Sequence, residues 1–484
     1  MANTLLVNPP YSVSERYGND MKKFGAVSEP LGLAYLAAGL EEQGFKVEII
    51  DAPAQGITCK GIVEDHISKE TNLIGITFLT PMFDAVKKLA NKIKESNPGV
   101  KIIVGGPHPS ALPERTLEEI ASIDFVCIGE GERTIVEVAE YMAGKKEIEN
   151  IKGLAYRHSN DIRVNAARPI EKTLDSLPVP ARHLLPMKQY NLTASRTRGS
   201  GFCPTIILAR GCPFNCQFCS HPFGRTFRHH SVKRIIKEIN ELVDRYDIKQ
   251  VNFEADTLTI DKNFVLELCR AMIDQRIDIS WTCESRMDTI DEEMLRIMKE
   301  AGCWQISYGV ESGSQRLLDS IIKGVTKEAI IEAFRITKKV GISIRGFFML
   351  GLPTETKYES LQTIHFANKL NPLWAQFTVT IPYPGTPMFE QLDKEGQIRH
   401  YDWTDYNTWG GWADKKLPYI SAGRTEEEIK KLQKKAMRMF YMRPKAFFEL
   451  IRSISSYQDA RKLVNGFIVL IKTILVKPGK IKQG

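Results

Sequence analysis

Three cysteines crowd into eight residues at Cys212-Pro-Phe-Asn-Cys216-Gln-Phe-Cys219, a CxxxCxxC spacing. Deprotonated thiols so spaced can each take one iron of a cubane iron–sulfur cluster. Three donors for four irons leave one iron open to an outside ligand, which is what a catalytic cluster needs. Two other readings compete. Structural zinc takes four ligands, and no second CxxC or paired Cys/His lies nearby. Cysteines serving only as helix core would not collect in a Gly/Pro-bounded loop.

The elements that must hold this loop can be read from periodicity. It follows the strand-like run TIILARG, the first of six; QVNFEAD, DISWTCESR, WQISYGVES, SIRGFFMLGLP and AQFTVTIPYPG are the others, each separated by a helical stretch. Six such units predict an incomplete parallel barrel over 201–400, with its active site at the carboxyl rim of the strands. Residues 1–145 alternate five further strand-like runs with helices and predict a doubly wound, Rossmann-like α/β domain. Ligands in such a sheet bind beyond the strand ends. There stand Asn8-Pro9-Pro10, Asp51, Thr77, Gly105-Gly106-Pro107-His108 and Gly129-Glu130-Gly131-Glu132. No GxGxxG follows the first strand, which argues against a dinucleotide. A nucleotide, a flavin, cobalamin or a ligand-free scaffold remain open on these residues alone. Residues 146–200 read as a linker with a hairpin, IKGLAYR to IRVN, and a Pro-rich crossing segment, LDSLPVPARHLLP.

Composition narrows the class. A chain of 484 residues with 43% hydrophobic and 26% charged content is a soluble globular protein of more than one domain. Its start, MANTLLVNPPYS, has no basic region followed by a sustained apolar run, so no signal peptide is expected. The six cysteines outside the motif are scattered singly, which suits a reducing cytoplasm better than a disulfide framework. From Lys430 onward there are fourteen Lys/Arg against two acids, a net +12, which leaves the preceding residues at −4 of the chain's +8. Within the 401–484 extension, LVNGFIVLIKTILV (Leu463 to Val476) is apolar but short and carries Lys472. That suits peripheral contact with an anionic membrane surface better than a span. A helix packed on the barrel with a solvated basic face is the alternative. No aromatic-interleaved basic patch points to nucleic acid.

The cysteine motif in its strand–loop setting resembles the radical SAM (S-adenosylmethionine) superfamily. The resemblance implies that SAM chelates the open iron of a [4Fe-4S] cluster and is cleaved by one electron to a 5′-deoxyadenosyl radical. An electron donor such as flavodoxin or ferredoxin is then needed. Phe218 would shield one side of the cluster or of a bound adenine. The resemblance places Glu254 and Asp256 at SAM's amino group, Ser285 and Arg286 at its carboxylate, and Glu311 and Gly351 at strand ends near the adenosine. Glu254 departs from the commoner glycine.

The motifs NPPY, DAP, GGPHPS and GEGE before the barrel resemble the cobalamin-binding-domain branch of that superfamily. This implies cobalamin contacts at Thr77, Gly105, Gly106, Gly129 and Glu130. The DxHxxG motif that supplies a cobalt-ligating histidine is absent, since Pro53 stands where the histidine would be; His108 is a lone alternative. DAPAQG, FEADTLTI, CESRMD, FFMLGLPTET, PYPGTPMF and FYMRPKAFF are similar to a group holding the hopanoid cyclitol-ether (ring-contracting) synthases, the calditol synthases and the anaerobic magnesium-protoporphyrin monomethyl ester cyclases. That implies a radical attack on an unactivated carbon of a hydrophobic, lipid or isoprenoid substrate, cobalamin-assisted. Aromatic strand residues (Trp281, Trp304, Tyr308, Phe347, Phe348, Tyr383) would line its pocket or fill the barrel core. Cobalamin-dependent methylation and a non-catalytic cobalamin or cluster sensor are the alternatives. Methylthiolation of tRNA would call for a second cysteine set, which Cys59 and Cys127 do not supply.

Overall fold

The computed structural model describes residues 3–18, 27–159, 161–190, 192–193, 195–198, 202–413, 415–454, 456–457, 460–461 and 463–464. Leu5 to Val7, Ile49 to Ile50, Leu73 to Ile76 and Ile102 to Val104 are near-unbroken apolar runs, and strands buried on both faces read this way. They form β1 (Asn3–Asn8), β2 (Lys46–Asp51), β3 (Thr71–Thr77) and β4 (Lys101–Gly105), joined by β5 (Phe125–Cys127). The five are parallel in the order β2-β1-β3-β4-β5. Helices Leu31–Glu42 and Glu132–Met142 bury Leu33, Ala37, Ile135 and Val138 against one face, and helix Phe83–Ser96 buries Val86 and Leu89 against the other. The doubly wound domain is therefore present, with its order reversing between β2-β1 and β3.

The expected hairpin forms as β6 (Leu154–His158) and β7 (Asp161–Val164), but it does more than link. It extends the same sheet antiparallel at the β5 edge. The Pro-rich segment after it is a series of short turns that ties the two halves together. Arg182 pairs with Glu238 at 2.7 Å and donates to the Thr205 carbonyl at 2.7 Å, while the Tyr190 hydroxyl donates to Asp51 at 2.9 Å.

The second sheet contains β8 (Thr205–Ile207), then, after the short β9 (Ala209–Arg210) and β10 (Arg228–His229), β11 (Gln250–Glu254), β12 (Ser280–Ser285), β13 (Cys303–Glu311), β14 (Ser343–Leu350) and β15 (Trp374–Val379). Its order, β15-β14-β13-β12-β11-β8, is wholly parallel: the expected six-stranded open barrel. β9 and β10 were not expected. They pair antiparallel, Arg210 opposite Arg228, and close the base of the loop that carries the cysteines. Gly211, just above, has φ +87°, and a Cβ there would strike the Thr226 carbonyl, so only glycine serves. Helix Glu426–Tyr441 packs on β15, its Gln433 amide donating to the Phe377 and Thr408 carbonyls at 3.0 Å. Among the described residues no helix is long and apolar enough to cross a membrane.

The two halves share one core. Leu317, Ile321, Val379 and Ile381 of the barrel lie in the same apolar cluster as Leu5, Val7, Ile74 and Ile76. Beside it Arg210 donates to Glu130 at 3.1 Å and Glu132 at 2.6 Å, and Arg228 donates to Glu130 at 3.1 Å. Burial alone would raise the Glu130 carboxyl; the Arg228 hydrogen bonds and the Glu171 amide reverse that and hold it below the usual range. Its stabilisation is present above the ordinary carboxylate range and is lost only as pH falls below it. Removing Arg210 (Arg210→Met) strips buried Glu132 of its cation and leaves Glu130 with Arg228 alone, and should cost about 3–5 kcal/mol. Urea unfolding at neutral pH checks this; an unchanged midpoint would show that the tie contributes nothing.

Candidate active site

The cysteine loop is suspended by backbone bonds at both ends. The Cys212 amide donates to the Gly224 carbonyl at 3.4 Å and the Cys219 amide to Cys216 at 3.2 Å. Between them the Gln217 amide donates to Ile321, and the Gln217 carbonyl accepts from Met388, so barrel loops on two sides fix its height. Among the described residues, no three His, Cys, Asp or Glu side chains converge closely enough to hold a single metal ion. Thiolates that each take a separate iron need not.

Two cations, Arg286 and Lys323, stand near the thiols. Arg286 Nη1 donates to Cys216 Sγ at 3.6 Å, and the guanidinium lies 3.7 Å over the Phe214 ring. Cys212 Sγ lies 4.0 Å from the Thr257 hydroxyl. Desolvation and the Cys216 thiol push the Cys219 thiol up to about 12, opposed by Lys323, although its surface opens to the cleft. A thiol so placed is stable as thiolate only with iron or a cation beside it. The donor set therefore fits a three-cysteine cluster.

The expected SAM contacts divide. Asp256 Oδ2 accepts the Gly211 amide at 3.0 Å, so it holds the loop's base, and its Oδ1 has no protein hydrogen bond among the described residues. Glu254 points into the barrel lumen and is reached by solvent there, yet it lies deep among protein atoms, which raises its carboxyl, as does Glu284. Arg286 does not offer the free fork that a methionine carboxylate would need. Its Nε and Nη2 bind Asp288 at 2.9 and 2.8 Å, and Nη2 also donates to the Lys323 carbonyl at 2.7 Å. Ser285 faces the helices rather than the lumen, its hydroxyl set against Thr259 and donating to the Arg286 carbonyl at 3.2 Å. Gly351, at φ +81°, makes the turn after β14, where its amide is held by Glu355. Burial raises Glu355 to about 6.

Sequence reasoning missed Lys323. Its ammonium pairs with Glu311 at 2.9 Å, both side chains buried, and stands 5.7 Å over the Phe218 ring. Glu311 holds φ +65°, a conformation costing about 1–3 kcal/mol for a residue with a side chain, and such strain concentrates at functional sites. Position 309 is glycine, and a Cβ there would press on both the Glu311 carboxylate and Lys323 Nζ as they stand.

A seam cavity of about 260 Å³ joins the cysteine loop to the first sheet, lined by Tyr11, Thr80, Pro107, Phe218, Ser220 and Tyr383 among others. Tyr11 follows β1, Thr80 follows β3 and Pro107 follows β4, so this is the switch-point rim. Here too the expected contacts divide. Gly129 (φ +78°) has open space where a side chain would be, as a closely approached group requires, whereas Gly106 (φ +117°) is demanded by the Phe78 backbone. Gly105 and Thr77 end adjacent strands in register. Glu130 is spent on the two arginines described above. Asp51 is fully buried, bound by Asn8 at 2.9 Å and Tyr190, so it supports the rim and does not line it. His108 is neither solvated nor free: it stacks on Phe78 at 4.6 Å against Trp403, and burial pushes its imidazole down to about 3. The rim thus opens on a cavity between the halves, with no histidine between Asp51 and Gly56 and with His108 packed away in the core.

Two variants test the frame. Cys216→Ser should abolish iron retention after anaerobic reconstitution, with iron analysis as the readout. Gly309→Ala should part Glu311 from Lys323 and cost about 1–3 kcal/mol in thermal unfolding, like other overpacked core changes. Full iron in the first, or an unchanged midpoint in the second, would contradict this geometry.

Comparison with known proteins agrees with this layout. Residues 20–139 match the B12 binding domain family and residues 206–367 the Radical SAM superfamily. An uncharacterized methyltransferase of Pyrococcus horikoshii is 37% identical over 470 residues, covering 96% of each chain. The anaerobic magnesium-protoporphyrin IX monomethyl ester cyclase of Cereibacter sphaeroides is 28% identical over 387 residues, 78% of this chain and 62% of that one. The solved structure of the radical SAM methyltransferase TsrM from Kitasatospora setae, with cobalamin and [4Fe-4S] cluster bound, superposes with a TM-score of 0.72 at 14% identity, covering 98% of this chain and all of that one, a likeness of fold. The chain belongs to the B12-binding-domain branch of the radical SAM superfamily and is an enzyme whose two domains define its cofactors: a [4Fe-4S] cluster, SAM and cobalamin.

Proposed function

We propose that this enzyme methylates an unactivated carbon, using one SAM as methyl donor and a second as radical source. The observation that carries the reading is the 37% identity to an uncharacterized methyltransferase along 96% of both chains. The geometry supports it, because the cysteine loop and the switch-point rim share one cavity. Cobalamin, when bound, supplies a carrier for the methyl group. The chain's own part is positioning. Cys212, Cys216 and Cys219 hold the cluster, with Arg286 and Lys323 offsetting their charge. Asp256 Oδ1 and Glu254 receive SAM's ammonium. Thr77, Gly105 and Gly129 line the approach of the corrin. Ring contraction or cyclisation of a lipid, as the motif group suggested, is the competing chemistry.

The two chemistries separate in one assay. Anaerobically reconstituted enzyme is given hydroxocobalamin, reduced flavodoxin and SAM labelled in its methyl group, without added substrate. With no substrate to accept it, a methyltransferase still takes the labelled methyl onto the added, reduced cobalamin and releases S-adenosylhomocysteine beside 5′-deoxyadenosine from abortive cleavage; a ring-contracting enzyme releases 5′-deoxyadenosine alone. The second result would overturn the methyltransferase reading.

We also infer contact with a membrane surface. Helix Pro444–Arg452 leaves Phe448 60% and Ile451 45% exposed, followed by Tyr457 at 83%, with Lys445 and Arg452 beside them. An apolar face edged by basic residues suits an anionic bilayer surface. The apolar stretch after it, from Asn465 on, lies outside the described residues. The protein should float with vesicles containing phosphatidylglycerol, less so in high salt, and Phe448→Ser with Ile451→Ser should reduce flotation several-fold. Equal flotation of the variant would remove this inference.

A further inference from the structure

The barrel lumen is not filled as closed barrels are, with bulky aliphatic layers. Alternation along the strands sends Trp281, Tyr308, Phe348 and Phe377 to the helix side, where all four are fully buried in the core. The opposite faces carry polar residues: Thr282 and Glu284 on β12, Gln305 and Ser307 on β13, Arg345 on β14, Gln376 on β15. Of the aromatic residues expected to line an apolar pocket on these strands, Phe347 has the parity of the inward face.

Among these lumen-facing residues Arg345 is anomalous. It is 8% exposed, its Nη2 donates to the neutral Gln376 Oε1 at 2.6 Å, and its Nη1 has no partner among the described residues. Among the described residues no carboxylate bonds it. The nearest charges are Arg196, of like sign, and Glu284, which Arg196 itself approaches at 3.5 Å. One neighbour shares the condition: Gln305 is 1% exposed with both amide atoms unpartnered. Burial, and then Arg196, pull the Arg345 guanidinium down to about 10. A buried cation without a counter-ion is expensive, and it is retained where a ligand supplies the charge. Arg345 is also not at the cluster. It lies five residues before the end of β14, about 17 Å down the strand, whereas Arg286 is in contact with Cys216.

We propose that Arg345 anchors an anionic group of the substrate, a carboxylate or a phosphate, in the barrel lumen below SAM, with Gln305 completing the hydrogen bonds. The fork of a guanidinium suits either anion. The proposal deepens the functional reading above, in that it names the substrate's polar end. A lipid substrate would then present its headgroup here.

The test uses the reconstituted full-length enzyme and Arg345→Gln, with Arg345→Lys as the charge-retaining control. Inorganic phosphate, hexanoate and dihexanoyl phosphatidic acid serve as probes in equilibrium dialysis, and SAM is dialysed in parallel. Arg345→Gln should weaken binding of the anion probes at least tenfold, Arg345→Lys much less, and neither should change SAM affinity. The melting temperature of Arg345→Gln should stay level or rise, because an uncompensated charge has gone. Tight binding of phosphatidic acid over inorganic phosphate would mark a lipid headgroup as the source; parity would mark a free anion. Undiminished probe binding in Arg345→Gln overturns the proposal. So does a parallel loss of SAM, which would give Arg345 to the methionine carboxylate, or a lowered melting temperature with probes unaffected, which would make it structural. The methyl-label assay above is independent of all three outcomes.

Discussion

Arg210 is the point on which the rest of the molecule turns. It stands two residues before Cys212, at the base of the loop, and its guanidinium reaches across the seam to Glu130 and Glu132 of the first sheet. Arg210, with Arg228 beside it on Glu130, thus sets the cluster loop and the switch-point rim at a fixed separation. Chemistry that draws on a radical source in one domain and a carrier in the other needs that separation held against thermal motion. The shared apolar core supplies the bulk of the adhesion, and the ion pairs supply the register. Gly211 and Asp256 pass the constraint upward, one by turning the chain and the other by accepting its amide.

Above that base the site is an exercise in charge compensation. Thiolates in a desolvated loop need cations, and Arg286 and Lys323 provide them. Neither cation is free, because Asp288 and Glu311 balance each in turn. Arg286 therefore reads as a positioning residue for the loop. Deeper in the barrel the balance fails at Arg345, and that failure is informative because every other buried arginine near the site, Arg182, Arg210, Arg228 and Arg286, has a carboxylate.

Much of this was legible in the sequence. Five and six strand-like runs gave both parallel sheets, and the three cysteines announced the cluster without any structure. The hairpin was legible as a hairpin, though not as an extension of the first sheet, because pairing at the β5 edge leaves no mark in local periodicity. What could not be read were the side chains that act through distant partners. Lys323 sits in the loop between helices Gln315–Ser320 and Lys327–Lys339, which no motif singles out, and only its pairing with Glu311 at the end of β13 marks it. Glu130 looked like a ligand contact because it stands at a strand end among glycines, yet its partners lie some eighty and a hundred positions away. His108 and Asp51 failed as ligand candidates for a related reason: burial decided their roles, and a lone residue does not report its burial. The aromatic residues were assigned to a pocket or a core without choosing. Strand parity could have chosen, since Trp281, Tyr308 and Phe348 share the parity of the apolar residues and Arg345 and Gln376 that of the polar ones.

The central claim is that three sulfurs, and no fourth protein donor, hold a cubane whose remaining iron takes SAM. Mössbauer spectroscopy of enzyme reconstituted with isotopically enriched iron, recorded with and without SAM, addresses it most directly. One iron site in four should shift on adding SAM while the other three stay fixed. Four equivalent sites indifferent to SAM, or a loop that retains zinc in place of iron, would contradict it.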